Sequence, residues 1–135
     1  MIKEAKIVSV VSLFPLPQYV VVLEDVEKTR LVPIWIGINE GNAIALELQG
    51  EKFPRPLTHD LLVNVINATD SQVTRLIIDK LETNTFFAKI EIKRPGAEAK
   101  LVDCRPSDGI AVAVRIKCPI FVDEDVLSKA SMMKH

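Results

Sequence analysis

The sequence predicts an α+β domain in which three main helices pack against a mixed, strongly curved β-sheet. Runs of β-branched and apolar residues with strand length occur in two groups of three, at 7–14, 18–26 and 30–36, and at 72–81, 85–93 and 98–104. Helical spacing of apolar residues, bounded by cap signals, occurs at 37–49, 59–67 and 106–117. Because strands and helices come in groups and do not alternate, the pattern favours α+β.

The first group of strands contains one strand that is almost wholly apolar. Ile7–Phe14 shows no polar alternation, which predicts a central strand buried on both faces. The segment Pro15-Leu16-Pro17 ends it. Pro33 lies inside the third strand and predicts an edge strand or a bulge there, because proline cannot donate a ladder hydrogen bond.

The helices have recognisable ends. Gly50 suits the left-handed stop of the first helix, Thr58 is a suitable N-cap for the second, and Pro106 marks the first turn of the third. A short strand at 119–122 and a short helix at 123–129 follow. Residues 1–130 are therefore predicted to form a single domain, with 131–135 as a frayed tail.

The strand at 85–93 shows most clearly which of its side chains face the core and which face water. Apolar residues alternate with polar ones: Phe86, Ala88, Ile90 and Ile92 against Thr85, Lys89, Glu91 and Lys93. This alternation predicts a sheet with one face on the core and one in water. Pro95-Gly96 then suits a type II turn into the next strand.

Composition limits the classes of function. The chain has 135 residues, 48% of them hydrophobic, which suffices for one sizeable core. Its 17 basic and 18 acidic residues argue against tight, indiscriminate binding to a nucleic-acid backbone. Cys104 and Cys118 lack the spacing of a zinc site, which favours a reducing, cytoplasmic location. The N-terminus lacks a signal-peptide layout, and no apolar run approaches the ~20 residues that span a membrane.

Polar chemistry is concentrated at the three helix starts, and the segment Asp103–Gly109 is the richest of them. It places two carboxylates, a guanidinium and a hydroxyl between a strand and a helix. Backbone N–H groups and a positive field at a helix start can hold a phosphate, or a carboxylate that binds a metal. His59 and Asp60 open the second helix, where the positive field favours neutral imidazole and ionised carboxylate.

Each of these residues also has a purely structural interpretation. Asp60 can stabilise a helix start, and His59 can be a packing histidine. Arg105 and Asp108 can form a structural ion pair, and Glu40 can belong to a solvated helix face. Trp35 is predicted as a core anchor and not as a platform for stacking bases.

Three segments, in this order, resemble the signatures of the bifunctional nuclease domain family. They are Pro33-Ile34-Trp35-Ile36-Gly37 with Glu40 and Ala43-Ile44, then Arg55-Pro56-Leu57-Thr58-His59-Asp60-Leu61-Leu62, then Asp103-Cys104-Arg105-Pro106-Ser107-Asp108-Gly109-Ile110-Ala111 followed by Ala113-Val114-Arg115. The resemblance covers about residues 5–125. Gly41 and Gly109 stand where the family pattern leads us to expect alanine.

The resemblance implies a half-barrel sheet, a homodimer and nuclease activity on RNA and DNA. It also implies a site formed by Glu40, His59, Asp60, Asp103, Arg105, Ser107 and Asp108. In a metal-dependent nuclease, Asp60, Asp103 and Asp108 would hold Mg²⁺ or Mn²⁺. Catalysis would fall to His59, Asp60, Asp108 and Glu40, and substrate phosphates would bind Arg105, Ser107 and Arg55.

Two other functions fit the same residues. The polar cleft can belong to a non-catalytic module that binds a small anionic ligand or a protein partner, with Arg105 and the helix starts as recognition groups. A purely structural dimer needs only the apolar strands. The scarcity of aromatic residues, 5% of the chain, argues against a binder of single strands that relies on stacking.

Overall fold

The computed structural model describes residues 1–131 as one sheet and four helices. The strands are β1 (Ile2–Ser12), β2 (Gln18–Asp25), β3 (Leu31–Gly37), β4 (Gln72–Glu82), β5 (Thr85–Lys93), β6 (Lys100–Cys104) and β7 (Ile120–Asp123). The helices are α1 (Ile38–Leu48), α2 (Thr58–Ala68), α3 (Pro106–Ile116) and α4 (Glu124–Ser131). Ser131 ends α4, and the rest of the predicted tail, 132–135, lies outside the described residues.

The sheet has the order β3-β2-β1-β7-β4-β5-β6. Strands β1 to β3 form one antiparallel meander and β4 to β6 form another. The short β7 joins them, antiparallel to β1 and parallel to β4. This mixed sheet with segregated helices confirms the predicted α+β class. Helix α4 packs on both β3 and β4, four positions apart in the strand order, and the strong curvature of the sheet stays a prediction.

A single core lies between the sheet and the helices. Its fully buried side chains include Leu23 from β2, Ile44 from α1, Leu76 and Ile78 from β4, and Ile110 from α3. Within residues 1–131, no helix is long and apolar enough to cross a membrane.

The prediction that the first strand is buried on both faces is wrong. Strand β1 does lie inside the sheet, but Val8 and Val11 are 51% and 49% exposed, because the core packs against only one of its faces. Trp35, predicted as a core anchor, is 45% exposed on β3. The position of Pro33 is confirmed, since β3 is an edge strand and Pro33 pairs with Val22 of β2.

Two of the three predicted helix boundary signals are confirmed, one at the start of a helix and one just after the end of another. Helix α3 begins at Pro106 with Arg105 as its N-cap, and Gly50, just after α1, has a φ of 76°. Thr58 is not an N-cap, because α2 begins one residue earlier than expected and Leu57 holds that position. The Asp60 side chain supplies the missing acceptor for the backbone N–H of Leu57, at 2.9 Å.

The two glycines that depart from the family pattern both lie where helices approach the sheet. A Cβ at Gly41 would stand 2.0 Å from Cδ1 of Tyr19, so the tyrosine ring of β2 rests against the backbone of α1. A Cβ at Gly109 would stand 2.5 Å from Cδ1 of Leu76 on β4. Glycine therefore allows a closer approach at both places than alanine would.

Candidate active site

A groove of about 690 Å³ lies between α1, the start of α2 and the start of α3. Its charged end is formed by Glu40, His59, Arg105 and Asp108. The predicted α3 start and the predicted α2 start thus meet at one place, although 49 residues separate His59 from Asp108. These four side chains are the part of the predicted site that the fold brings together.

His59 and Asp108 form a hydrogen-bonded pair. The His59 ring nitrogen Nε2 lies 2.9 Å from Oδ1 of Asp108, and the His59 residue is 9% exposed. When Nε2 carries the proton and donates it to the carboxylate, Nδ1 keeps its lone pair. Such a carboxylate fixes both the tautomer and the orientation of the ring, as it does in catalytic acid–base pairs.

Arg105 links the two carboxylates of the groove. Its Nε donates to Oδ2 of Asp108 at 2.9 Å, and its Nη2 lies 3.6 Å from Oε2 of Glu40. The Arg105 side chain is 65% exposed, so the guanidinium also faces solvent. Asp108 therefore bridges a buried imidazole and an exposed guanidinium, one on each of its oxygens.

The electrostatics of this cluster keep Asp108 ionised. Burial acts to raise the pKa of Asp108, but hydrogen bonds from Arg105 and His59 outweigh it and leave the pKa below its usual value. The hydrogen bond to Asp108, with the nearby charge of Glu40, raises the pKa of Arg105 further. Two carboxylates and one guanidinium share the cluster, so its net charge is negative while His59 is neutral.

Asp60 faces a different cavity. Its Oδ1 accepts from Nε of Arg115 at 2.7 Å, and its Oδ2 accepts from the Leu57 N–H. The Leu57 hydrogen bond is the main cause of the lowered Asp60 pKa, and Arg115 lowers it further against the effect of burial. Asp60 and Arg115 line a cavity of about 160 Å³ that shares Leu46 and Leu57 with the groove.

Asp103 lies on the other side of the sheet from the cluster. The neighbouring Cys104 faces α3, since its Sγ lies 3.1 Å from where a Cβ on Gly109 would stand. Successive strand residues point to opposite faces, so Asp103 points away from α3. It lies opposite Lys89 of β5, whose Nζ donates to Asp79 at 2.7 Å.

Two further predicted residues lie outside the lining of the groove. Ser107 is buried in the first turn of α3, with 6% of its surface exposed. Arg55 is exposed in the segment before α2, next to Pro56, which does line the groove. Neither side chain is therefore part of the charged end of the groove.

The comparisons with known proteins match a range that contains Glu40, His59, Arg105 and Asp108. The model of the bifunctional nuclease domain matches residues 21–135, more than half of the chain. The chain belongs to the bifunctional nuclease domain family. Two curated relatives are uncharacterized proteins of Mycobacterium tuberculosis, from strains CDC 1551 / Oshkosh and ATCC 25618 / H37Rv. Each is 40% identical to this chain over 130 residues, which is 96% of the chain and 77% of the relative.

The metal ligands predicted for this bifunctional nuclease domain do not share a site in the fold. Asp60 pairs with Arg115, Asp103 points away from α3, and Asp108 binds His59 and Arg105. Across residues 1–131, the structure has no group of three His, Cys, Asp or Glu side chains placed to hold a metal ion. Glu40 and Asp108 are the two carboxylates in the described lining of the groove, and Arg105 contacts both.

Sequence reasoning missed several residues at this site of the bifunctional nuclease domain. Arg115, whose side chain is 6% exposed, joins α3 to α2 through Asp60 and to α1 through the carbonyl of Ala43. Arg115 is the last residue of the third family segment, and this was the available signal, but its partner lies 55 residues away. Asn39 and Asn42 line the groove on α1, and an exposed amide carries no distinctive spacing.

Cys104 lies beside the charged cluster but is a partly buried, unreactive thiol. Burial, with the negative charges of Asp103 and Asp108, raises the pKa of its thiol to about 11. The thiol is therefore protonated at neutral pH and is a poor nucleophile. Cys104 and Cys118 are both free thiols.

Proposed function

We propose that this protein is a nuclease that hydrolyses phosphodiester bonds of RNA or DNA in the groove between α1, α2 and α3. The observation that carries the proposal is the chain of contacts from His59 through Asp108 to Arg105. It places an acid–base group, a carboxylate that orients it and a phosphate-binding guanidinium within one groove. Membership of the bifunctional nuclease domain family supports the same reaction.

The residues would divide the chemistry as follows. Arg105 binds the non-bridging oxygens of the scissile phosphate and balances the charge that grows on them. His59 takes a proton from the attacking water as its oxygen bonds to phosphorus. The bond from phosphorus to the sugar oxygen then breaks, and His59 returns the proton to that oxygen. Asp108 stabilises the imidazolium formed in between.

The remaining lining of the groove suits a nucleotide. Ala43, Leu46, Pro56 and Leu57 form apolar surface beside the charged end. A base has an apolar face and a polar edge, and its phosphate carries the charge. The groove therefore offers an apolar surface to the base and Arg105 to the phosphate, without requiring an aromatic platform.

A dependence on Mg²⁺ or Mn²⁺ is still a prediction. Carboxylate oxygens are suitable ligands, and the negative charge of the cluster would be offset by a cation. However, Arg105 engages both Glu40 and Asp108, so the residues as they stand do not fit a preformed metal centre. For this reason we assign no step of the reaction to a metal.

One observation favours a second candidate, a module that binds an anionic ligand without cleaving it. Arg105 is already paired with two carboxylates, Glu40 and Asp108, so its charge is satisfied within the cluster. Ion pairs of this kind also occur in purely structural networks. In that case the groove would hold its ligand through helix N–H groups and Arg105, and His59 would serve only packing.

A homodimer is part of the proposal. Val11 of β1, Val20 of β2 and Trp35 of β3 are cross-strand neighbours, so they share one sheet face. Val11 and Trp35 are about half exposed, as are Val8 and Leu31. A contiguous apolar face of this kind supports an interface with a second copy.

The test compares wild type with His59→Gln, Asp108→Asn and Asp103→Asn. Each protein is incubated with labelled single-stranded RNA and DNA, in Mg²⁺, in Mn²⁺ and in chelator. We expect cleavage to fall at least about tenfold in the first two variants, because acid–base catalysis typically contributes that much or more. Asp103→Asn removes a carboxylate outside the groove and should cleave like wild type.

The outcomes separate the candidates. Cleavage that is equal in folded wild type, His59→Gln and Asp108→Asn comes from a contaminant and would sink the nuclease proposal. Binding without cleavage would favour the second candidate. Cleavage that is lost when a chelator replaces the metal would establish the predicted metal dependence. Loss of cleavage in folded Asp103→Asn would show that Asp103 contributes to the reaction, against its position outside the groove.

A further inference from the structure

We propose that Asn42, held in place by Tyr19, recognises the nucleotide next to the scissile phosphate. This inference rests on the nuclease function proposed above and extends it to a residue that the nuclease chemistry does not use. Asn42 is exposed and lines the groove on α1, two residues after Glu40.

The Tyr19 hydroxyl fixes the direction of this amide. It donates to Oδ1 of Asn42 at 2.6 Å, a normal length for an O–H···O bond. The bond uses the carbonyl oxygen of the amide, so the Nδ2 group keeps both of its N–H donors. An exposed asparagine side chain would otherwise rotate, and ordering it in advance removes part of the entropy cost of binding a ligand.

Gly41 makes the contact between Tyr19 and Asn42 possible. The Tyr19 ring lies so close to α1 that a Cβ at position 41 would stand 2.0 Å from Cδ1 and 2.5 Å from Cγ of the ring. The phenol therefore reaches its hydrogen bond by lying across the helix backbone at Gly41. Glycine at position 41, where the family pattern leads us to expect alanine, therefore affects the orientation of Asn42 in the groove as well as the packing of α1 on β2.

The surroundings of Asn42 identify the kind of group it would bind. Ala43 and Leu46 also line the groove, and Leu46 lies one helical turn after Asn42. A base resting on this apolar surface would present its carbonyl oxygens and ring nitrogens to the two N–H donors of Asn42. Oxygen and nitrogen acceptors on single-stranded nucleic acid are therefore the ligand chemistry that this amide fits.

The experiment measures kcat and KM for wild type, Asn42→Ala, Asn42→Asp and Tyr19→Phe on a labelled single-stranded oligonucleotide. Asn64→Asp, at an exposed position on α2, is the matched control for the charge change. Dissociation constants for the same oligonucleotide are measured by fluorescence anisotropy in the His59→Gln background, where the substrate is not consumed.

We expect Asn42→Ala to raise KM by about 3- to 10-fold, the range for one or two neutral hydrogen bonds, with kcat within about twofold of wild type. Asn42→Asp should raise KM at least as much, because it exchanges a donor for a negative charge. Tyr19→Phe should raise KM less, and it should have no effect in the Asn42→Ala background. Asn64→Asp should leave KM unchanged.

Two results would overturn the inference alone. One is unchanged KM and unchanged affinity in folded Asn42 variants of a protein whose cleavage still depends on His59. The other is a Tyr19→Phe effect of equal size with and without the Asn42 amide, which would make Tyr19 purely structural. If wild type neither cleaves nor binds the oligonucleotide, both the inference and the nuclease proposal are wrong.

Discussion

Gly109 is a single position at which helix propensity and packing oppose each other. Alanine is intrinsically better in a helix by about 1 kcal/mol. In α3, however, an added Cβ would meet the Leu76 side chain at 2.5 Å and the Cys104 sulfur at 3.1 Å, and Leu76 is fully buried. Overpacking in a close-packed interior typically costs more than the propensity gain.

We therefore expect Gly109→Ala to lower the free energy of unfolding by about 1–2 kcal/mol, measured by chemical denaturation. Asn64→Ala is the control, since it makes a helix-favouring change at an exposed position on α2. The control should leave stability equal or slightly raised. A Gly109→Ala protein as stable as wild type would show that α3 can shift away from β4 without cost.

The residues of the candidate site differ in how far the sequence could predict them. Arg105 and Asp108 are three apart at a helix start, so their pairing follows from local geometry. His59 and Glu40 join them only because α1, α2 and α3 pack together, which the ordered family signatures indicated. Asp103 was placed with them by sequence proximity, whereas strand alternation sends it to the other face.

At the scale of elements, the turn between β2 and β3 is built around a buried carboxylate. Asp25 is 1% exposed and accepts hydrogen bonds from the backbone N–H of Thr29 at 2.8 Å and of Arg30 at 2.9 Å. The Thr29 hydroxyl also donates to it at 2.7 Å. Arg30 then binds Glu124, the first residue of α4, at 2.6 Å. One side chain thus orders the turn and positions the residue that ties the turn to α4.

This turn makes stability depend on pH. Burial acts to raise the pKa of Asp25, but the hydrogen bonds from Thr29 and Arg30 outweigh it and leave the pKa lowered. A pKa that is lower in the folded state contributes stability above the unfolded pKa, about 4, and this stability is lost as the pH falls through the folded value.

Asp25→Asn should therefore destabilise the protein by about 1–3 kcal/mol at pH 7, since an amide nitrogen would face N–H donors. Chemical denaturation at pH 7 and at successively lower pH measures the free energy of unfolding of both proteins. The excess of wild type over the variant should decrease below about pH 4. If the two proteins differ by the same free energy of unfolding across this pH range, Asp25 is not the cause of the pH dependence of stability.

Elements with a strong local pattern are the ones the sequence located best. The alternation of residues 85–93 placed β5 correctly, because one face of β5 is wet and register follows from period two. Thr58 is not the N-cap because α2 begins one residue earlier than expected, with Leu57 at the N-cap position. The Leu57 backbone N–H donates to the Asp60 side chain. The position of the Asp60 side chain is in turn fixed by its hydrogen bond from Arg115, 55 residues away. The local sequence therefore could not predict which residue is the N-cap of α2.

At the scale of the whole molecule, the proposed homodimer would form through the exposed face of the first meander. We expect wild type to have twice the protomer mass of 15.0 kDa by light scattering, and Val11→Lys to shift it toward the protomer mass. A lysine within an apolar interface would lose its hydration without a partner. The shift should grow on dilution.

Val65→Lys is the matched control, because Val65 is 52% exposed on α2, outside the first meander. It should leave the mass unchanged. A shift in Val65→Lys but not in Val11→Lys would place the interface on α2, and a wild type of protomer mass at all concentrations would contradict the dimer.

The joining strand β7 has a consequence for the order in which the molecule is built. In the described sheet, β1 and β4 share no ladder, and the four residues of β7 join the edge that β1 gives to the first meander to the edge that β4 gives to the second. As the chain is synthesised from its N-terminus, both meanders emerge before that strand exists. Each must wait with an open hydrogen-bonding edge, so the continuous sheet beneath the groove is completed only when residues 120–123 have left the ribosome.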